Sequence, residues 1–335
     1  MHRRSTTVRL AIAGSALAIG AVGLVGSSAA GGAAKAHLHT AAAKSYYLSL
    51  GDSYSVGYQP AYGSSPGGNT KGYTAVVAKA QHLTLVNFGC GGATTSSILN
   101  TAGCSSSSQA AFFNGWNSGN ITNTQEANGL AFIDAHPGQV KLVTVSISGN
   151  DVTSCAQAAN PITCVLNATT AISTNVGQLV SDLDAHLTAA GDTNTLIVGT
   201  TYPDVLLGLN VWPSASPNNH LAGLSTVAFD LLINPTLNTA YTAVSRGRFV
   251  NVTNAPYTEK HGKWDATSGM DTNAWDATNN VFTGPTYADK TYGTIPVATE
   301  EVCSLTFYCS LGNIHANTTG YKFIGALIDA KIAAG

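Results

Sequence analysis

Ser53 lies in the stretch Gly51-Asp52-Ser53-Tyr54-Ser55, directly after the apolar run 46–50. A serine placed where a buried strand ends in a glycine turn can point its hydroxyl into a cleft as a nucleophile. Such a serine needs a base to take its proton, and donors aimed at the oxyanion that forms when it attacks an ester. Asn150, in Gly149-Asn150-Asp151, carries a side-chain amide able to donate to that oxygen. Gly92, in Gly89-Cys90-Gly91-Gly92-Ala93, offers a backbone N–H with no side chain in the way, and Ser53 can add its own N–H.

The base should be one of nine histidines. His2, His37 and His39 lie in or next to an amino-terminal segment read below as removed. His82, His136 and His186 end helical stretches that lead into strands, where a cation is favoured by the helix C-terminus and where the opposite edge of the sheet lies. His220, His261 and His315 remain. His315 sits directly ahead of a terminal helix, in a loop pinned by Cys303 and Cys309, and is the expected base.

The elements that must position these groups read as a parallel sheet. Short apolar runs at 46–50, 83–87, 141–148, 195–199 and 248–252 alternate with helix-like spacing at 73–81, 124–135, 168–190, 221–246 and 318–333. Asn317 and Thr318 are capping candidates for the last helix, and Pro235 should kink or split the fourth. Ligands of an open parallel sheet sit beyond the carboxyl ends of its strands. Ser53, the 89–93 loop and Asn150 all follow strand ends, so three motifs converge on one edge.

In this order, Gly51-Asp52-Ser53-Tyr54-Ser55, Asn87-Phe88-Gly89-Cys90-Gly91-Gly92-Ala93, Gly149-Asn150-Asp151 and His315 resemble the four blocks of the SGNH (GDSL) hydrolase superfamily. The resemblance spans about 46–333. It implies a flavodoxin-like three-layer α/β/α sandwich with a central parallel sheet of about five strands. It also implies Ser53 as nucleophile, Gly92 and Asn150 as oxyanion donors, and His315 as base, with no cofactor. The chain looks most like secreted bacterial lipases and esterases with three disulfides. Two positions depart from the pattern. Ser148 stands where the family has glycine in Gly-x-Asn-Asp, and a small residue there should change little. Gly312 stands where the family carries an aspartate three residues before the histidine. The imidazole must then be oriented by a backbone carbonyl of the 303–312 loop, the favoured reading, or by a distant carboxylate from Glu300, Glu301 or Asp271.

Composition places the chain outside the cell. His2, Arg3, Arg4 and Arg9 precede an apolar stretch at 10–25 followed by small-residue sites, which reads as a signal peptide ending within 1–36. That stretch is short for a membrane span, so no stable membrane insertion is expected. Residues 37–335 then form a single hydrolase domain with a long loop-rich insertion at about 254–312. The six cysteines suit an oxidising compartment. Of fifteen possible pairings, proximity favours Cys90–Cys104, Cys155–Cys164 and Cys303–Cys309. Charged residues make up only 10% and the net charge is -2, which leaves no footprint for nucleic acid.

The expected product is a secreted, monomeric serine esterase or lipase acting through an acyl-enzyme on lipid or acylated small-molecule or glycan esters, phospholipids among them. An acyl pocket is expected around Leu206, Leu207, Leu209, Val211 and Trp212. The alternatives are a carbohydrate acetyl esterase and, in another class, a non-catalytic exported glycan-binding protein using Trp264 and Trp275. Three weaker signals carry little. Gly63-Ser64-Ser65-Pro66-Gly67 matches a nucleophile elbow but lacks its strand and helix. The paired segments Trp264-Asp265-Ala266-Thr267 and Trp275-Asp276-Ala277-Thr278 are too few for a propeller. Asp271, Asn273, Asp276 and Asn279 break the EF-hand pattern, so no metal is expected.

Overall fold

A computed structural model describes residues 44–60, 70–104, 115–116, 119–212, 218–255 and 269–335. The 1–36 segment, His37, His39, the 63–67 pattern, His261 and the first WDAT segment lie outside the described residues. Residues 43–335 cluster as one compact unit.

Five parallel strands form the central sheet: β1 (Tyr46–Gly51), β2 (Thr84–Asn87), β3 (Val140–Ser146), β4 (Leu196–Thr200) and β5 (Gly247–Val250), in the order β2-β1-β3-β4-β5. This is the flavodoxin-type order. Among the described residues the helices, besides a single turn at Gly149–Val152, are α1 (Tyr73–Ala80), α2 (Thr95–Asn100), α3 (Gln125–Ala135), α4 (Pro161–Ala189), α5 (Asn219–Ala228), α6 (Asn234–Tyr241), α7 (Val297–Leu305), α8 (Tyr308–Leu311) and α9 (Thr318–Ala333).

Strand alternation divides the core in two. Leu48 and Leu50 of β1, Val143 and Val145 of β3 and Ile197 of β4 pack with Ile133 of α3, with Ile172, Val176, Leu179 and Leu183 of α4, and with Leu237 of α6. Their neighbours Tyr47, Leu142 and Val198 face the other way, against Val77 of α1, Val302 of α7 and Ile324 and Ile328 of α9. One sheet between two helical layers gives the three-layer sandwich. Among the described residues no helix is long and apolar enough to cross a membrane.

Several local expectations shift. Helix α4 begins at Pro161, seven residues before the expected start at 168, because Asn160 caps it through Thr163 N (3.1 Å) and proline suits the first turn. Near Pro235 the regular α-helix is interrupted, with α5 ending at Ala228 and α6 beginning at Asn234. The ladder widens into a π turn at Phe229–Ile233, which accommodates the missing N–H just before α6. The 254–312 stretch, as far as it is described, is more than loop. It holds the hairpins β6 (Ala274–Asp276) with β7 (Val281–Thr283) and β8 (Thr286–Asp289) with β9 (Gly293–Pro296), then α7 and α8. Strands of three and four residues are too short for their alternation to stand out in sequence.

Of the four oxygen-bearing candidates in that stretch, Asn273, Asp276 and Asn279 are engaged in or beside these hairpins and Asp271 bonds to Asn254. Asp276 accepts from Thr278 N (2.9 Å) and Asn279 Nδ2 (2.7 Å), and Asn273 bridges Thr283 O (3.0 Å) and Ala298 N (2.9 Å). Among the described residues no three His, Cys, Asp or Glu could share a metal ion. The cysteines are bonded as Cys90–Cys104, Cys155–Cys164 and Cys303–Cys309, closing separations of 14, 9 and 6 residues. By loop entropy each contributes about 2–3 kcal/mol.

Candidate active site

β1 delivers Ser53 through a turn that only glycine permits. Gly51 has φ 136°, and a Cβ there would lie 2.1 Å from the carbonyl oxygen of Ser146 on β3. Gln125 of α3 fills the gap from the side, exchanging two 3.0 Å hydrogen bonds with the Gly51 backbone. The chain then coils back, with Tyr58 N donating to Ser53 O at 3.0 Å. Beneath it, buried Asp52 accepts from Tyr54 N (2.9 Å) and from the Tyr202 hydroxyl (2.7 Å). Burial pushes its carboxyl up to about 7, against those two donors, which favour the ionised form.

The second and third strand ends are stitched to each other. Asp151 accepts from Thr95 N (3.0 Å) and Thr95 Oγ1 (2.6 Å), at the start of α2. This brings Asn150 beside the 89–93 loop, where its Nδ2 donates to Ala93 O at 2.8 Å and keeps a second hydrogen. Gly92 adopts φ 81° with open space where a Cβ would stand. Neither the Gly92 N–H nor the Ser53 N–H has an acceptor among the described residues. Two free amides and one amide hydrogen thus stand at adjoining strand ends.

Ser148 is not the neutral replacement expected from its size. It takes φ 110°, a glycine conformation, and its buried hydroxyl has no hydrogen-bond partner among the described residues. A backbone shaped for glycine is here occupied by serine, with strain on the order of 1–3 kcal/mol.

His315 comes from the far end of the chain to meet Ser53, its Nε2 standing 2.8 Å from the Ser53 Oγ. The ring lies between Tyr58 (centroids 4.5 Å apart) and Tyr54 (5.9 Å). Burial holds its pKa down to about 4. What faces Nδ1 corrects both readings of its orientation. It is neither a backbone carbonyl nor a distant carboxylate but the side chain of Asn313, whose Oδ1 lies 2.8 Å from Nδ1 and 3.1 Å from the His315 backbone N. The nearby carbonyls are occupied: Ile314 O accepts from the Tyr54 hydroxyl (2.6 Å) and His315 O from Phe307 N (3.0 Å). Glu300 accepts from Ser304 Oγ (2.9 Å) and Asp271 from Asn254 Nδ2 (3.3 Å). An asparagine two residues before the histidine was visible in the sequence, but only the turn shows that its side chain reaches back.

Gly312 explains the absent aspartate. It closes α8 at φ 62°, and a Cβ there would fall 2.5 Å from the Trp212 indole nitrogen. The remaining described histidines serve elsewhere. His136 Nδ1 faces Phe132 O (2.8 Å), His186 pairs with Asp134 (2.8 Å), and His220 packs on Trp275 (5.5 Å).

From Ser53 an apolar cleft runs between α4 and α5, holding about 930 Å³ of empty space including its open mouth. Its walls include Val152, Ile162, Val165, Leu206, Leu224 and Phe229. Of the five residues expected to line an acyl pocket, only Leu206 does. Leu207 is in the core, Val211 packs with Ile295 and Cys309, and Trp212 covers Gly312. The lining is spread over helices that leave no contiguous apolar run in sequence.

Residues 47–328 match the family model described as GDSL-like Lipase/Acylhydrolase. No curated protein sequence matches the chain significantly. Among solved structures, the YXIM protein of Bacillus subtilis aligns at 9% identity and TM-score 0.45, over 87% of this chain and 56% of its own. The chain therefore spans little more than half of that protein. A protein described as lipolytic, of the G-D-S-L family, from Desulfitobacterium hafniense aligns at 11% identity and TM-score 0.35, over 86% of this chain and 99% of its own. A carbohydrate esterase family 2 enzyme with a carbohydrate binding domain, from Myceliophthora fergusii, aligns at 12% identity and TM-score 0.38, over 87% and 66%.

Proposed function

The chain belongs to the GDSL-like lipase/acylhydrolase family, and from that premise we propose that it is a carboxylic ester hydrolase with Ser53 as its nucleophile and His315 as its general base. The observation that carries this is the 2.8 Å approach of His315 Nε2 to Ser53 Oγ at the head of an apolar cleft. In this reading Ser53 attacks the ester carbonyl while His315 takes its proton. The Ser53 and Gly92 amides and the Asn150 side chain receive the oxyanion. His315 then returns the proton to the leaving alcohol, and water releases the acyl group by the same steps in reverse.

The substrate in this reading is a lipid-like ester, phospholipid included, whose acyl chain lies in the cleft. Each methylene moved out of water is worth about 0.8 kcal/mol, so six of them favour octanoyl over acetyl by up to roughly 5 kcal/mol. An acetyl esterase for polysaccharides would need no such depth. The glycan-binding reading loses its support at Trp275, whose ring lies flat against α5: a Cβ on Gly223 would fall 2.0 Å from it. The three disulfides and the amino-terminal apolar stretch support export, and the exported chain is taken to act as a monomer.

Fluorophosphonate labelling of the wild type, lost in Ser53→Ala, tests the nucleophile; an unlabelled wild type overturns it. A p-nitrophenyl ester series run beside acetylated xylan tests the substrate. Activity should rise at least a hundred-fold in kcat/KM from acetyl to octanoyl, and activity confined to acetyl groups sinks the lipid reading. Appearance of the processed chain in culture medium, eluting at monomer size, checks export and oligomeric state.

A further inference from the structure

We propose that Asn313 is the positioning residue of the Ser53–His315 pair, its side-chain oxygen locking the imidazole in the one tautomer that leaves Nε2 free to accept the serine proton. The proposal rests on the reading of Ser53 and His315 given above and adds to it the group that neither sequence reading of the loop named.

The orientation of the carboxamide follows from its partners. A backbone N–H can only donate, so the Asn313 atom 3.1 Å from the His315 N must be the oxygen. That same oxygen lies 2.8 Å from the ring Nδ1. Nδ1 therefore carries the hydrogen and Nε2 the lone pair, and it is Nε2 that stands 2.8 Å from the Ser53 hydroxyl. Turning the amide over would set an NH2 against the backbone N–H and leave a donor facing a donor.

This latch separates the site from the Ser-His-Asp triad of serine proteases. There, exchanging aspartate for asparagine costs about 10⁴ in kcat because the amide presents the wrong tautomer. Here the amide cannot turn over without losing its bond from the His315 N–H, so a neutral side chain does the orienting part of the aspartate's work. The backbone is held for this purpose on both sides. The Tyr54 hydroxyl takes Ile314 O (2.6 Å), and Phe307 N takes His315 O (3.0 Å). What a neutral amide does not supply is charge to stabilise the imidazolium. A carboxylate of the same shape at 313 would therefore raise the ring's proton affinity.

The experiment pairs Asn313→Ala and Asn313→Asp in the full chain with 15N-labelled histidine, His315 being assigned through His315→Gln. Wild type should show His315 with hydrogen on Nδ1 at neutral pH. Asn313→Ala should show a tautomer mixture and a kcat at least thirty-fold lower, with KM within two-fold. Asn313→Asp should regain the Nδ1 hydrogen, recover most of the lost kcat and move the acid limb of its pH profile up by a unit or more. A wild-type tautomer and kcat in Asn313→Ala overturn the proposal. So does an Asn313→Asp variant whose acid limb stays in place. Failure of the underlying reading looks different: esterase activity would survive Ser53→Ala or His315→Gln while the wild-type resonances still reported the locked ring.

Discussion

The phenol of Tyr54 donates a 2.6 Å hydrogen bond to the carbonyl of Ile314, so the residue after Ser53 holds the residue before His315 across 260 positions of chain. Tyr54 is itself fixed by the bond from its N–H to Asp52 (2.9 Å) and by the edge of Tyr202 at 4.9 Å. The spacing of Ser53 and His315 is thereby set by side chains as well as by the sheet. Tyr54→Phe keeps the ring and deletes the bond. Because small misplacements of reacting groups are costly, kcat should fall roughly ten-fold with KM within two-fold, and Tm should drop a few degrees. Steady-state kinetics at unchanged kcat would show that the tie is only structural.

Burial favours the neutral imidazole of His315, whose pKa is held near 4 instead of the usual 6.5. The neutral ring is the form that accepts the serine proton, so lowering its pKa extends activity toward acid. The acid limb of kcat/KM should have its midpoint between about pH 4 and 5. A midpoint of 6 to 7, measured with a substrate stable across that range, contradicts the site as described.

Asn150→Ala removes one of the proposed oxyanion donors together with its 2.8 Å bond to Ala93 O. By analogy with other oxyanion donors, kcat should fall about 10²- to 10³-fold. Thermal unfolding should shift by only a few degrees, since Asp151 still ties the same loop to Thr95. A parallel collapse of Tm and activity would make Asn150 a structural residue instead.

Ser148→Gly returns a glycine to a φ of 110° and deletes a buried hydroxyl without a partner among the described residues. Relief of strain outweighs the extra freedom glycine gives the unfolded chain, so the variant should gain on the order of 1 kcal/mol, or a Tm rise of about 2–4 °C. Ser148→Ala, which removes only the hydroxyl, should gain less. A glycine variant less stable than wild type would mean the serine is held by something other than its backbone.

Restoring the family's aspartate should fail. Gly312→Asp puts a side chain at φ 62°, against the Trp212 indole 2.5 Å from the Cβ position. Lower Tm and lower kcat are expected, and a gain in kcat would show that the loop can rearrange into a triad.

Much of this site is legible in the residues because its parts occur at strand ends, where local order announces them. Ser53, Gly92, Asn150 and His315 each sit in a short stretch whose glycines or capping residues mark a turn. The cysteine pairs were favoured by proximity because each closes a short loop. Asn313 is illegible there for the opposite reason. Its neighbours give no motif, and its function depends on one side chain curling back over two residues. The hairpins β6–β9 escaped because strands that short carry too few alternations to read.

The sequence by itself determined the layer order, since alternating apolar runs and helical stripes leave few ways to bury both faces of a parallel sheet. It also determined which hydroxyl, which amides and which imidazole stand at one edge. Tertiary structure alone decided what orients the imidazole, what excludes a carboxylate at 312 and which helices wall the cleft. Those outcomes depend on distances between residues far apart in the chain, such as Trp212 over Gly312 and Tyr54 under Ile314, and no local pattern encodes a contact of that kind.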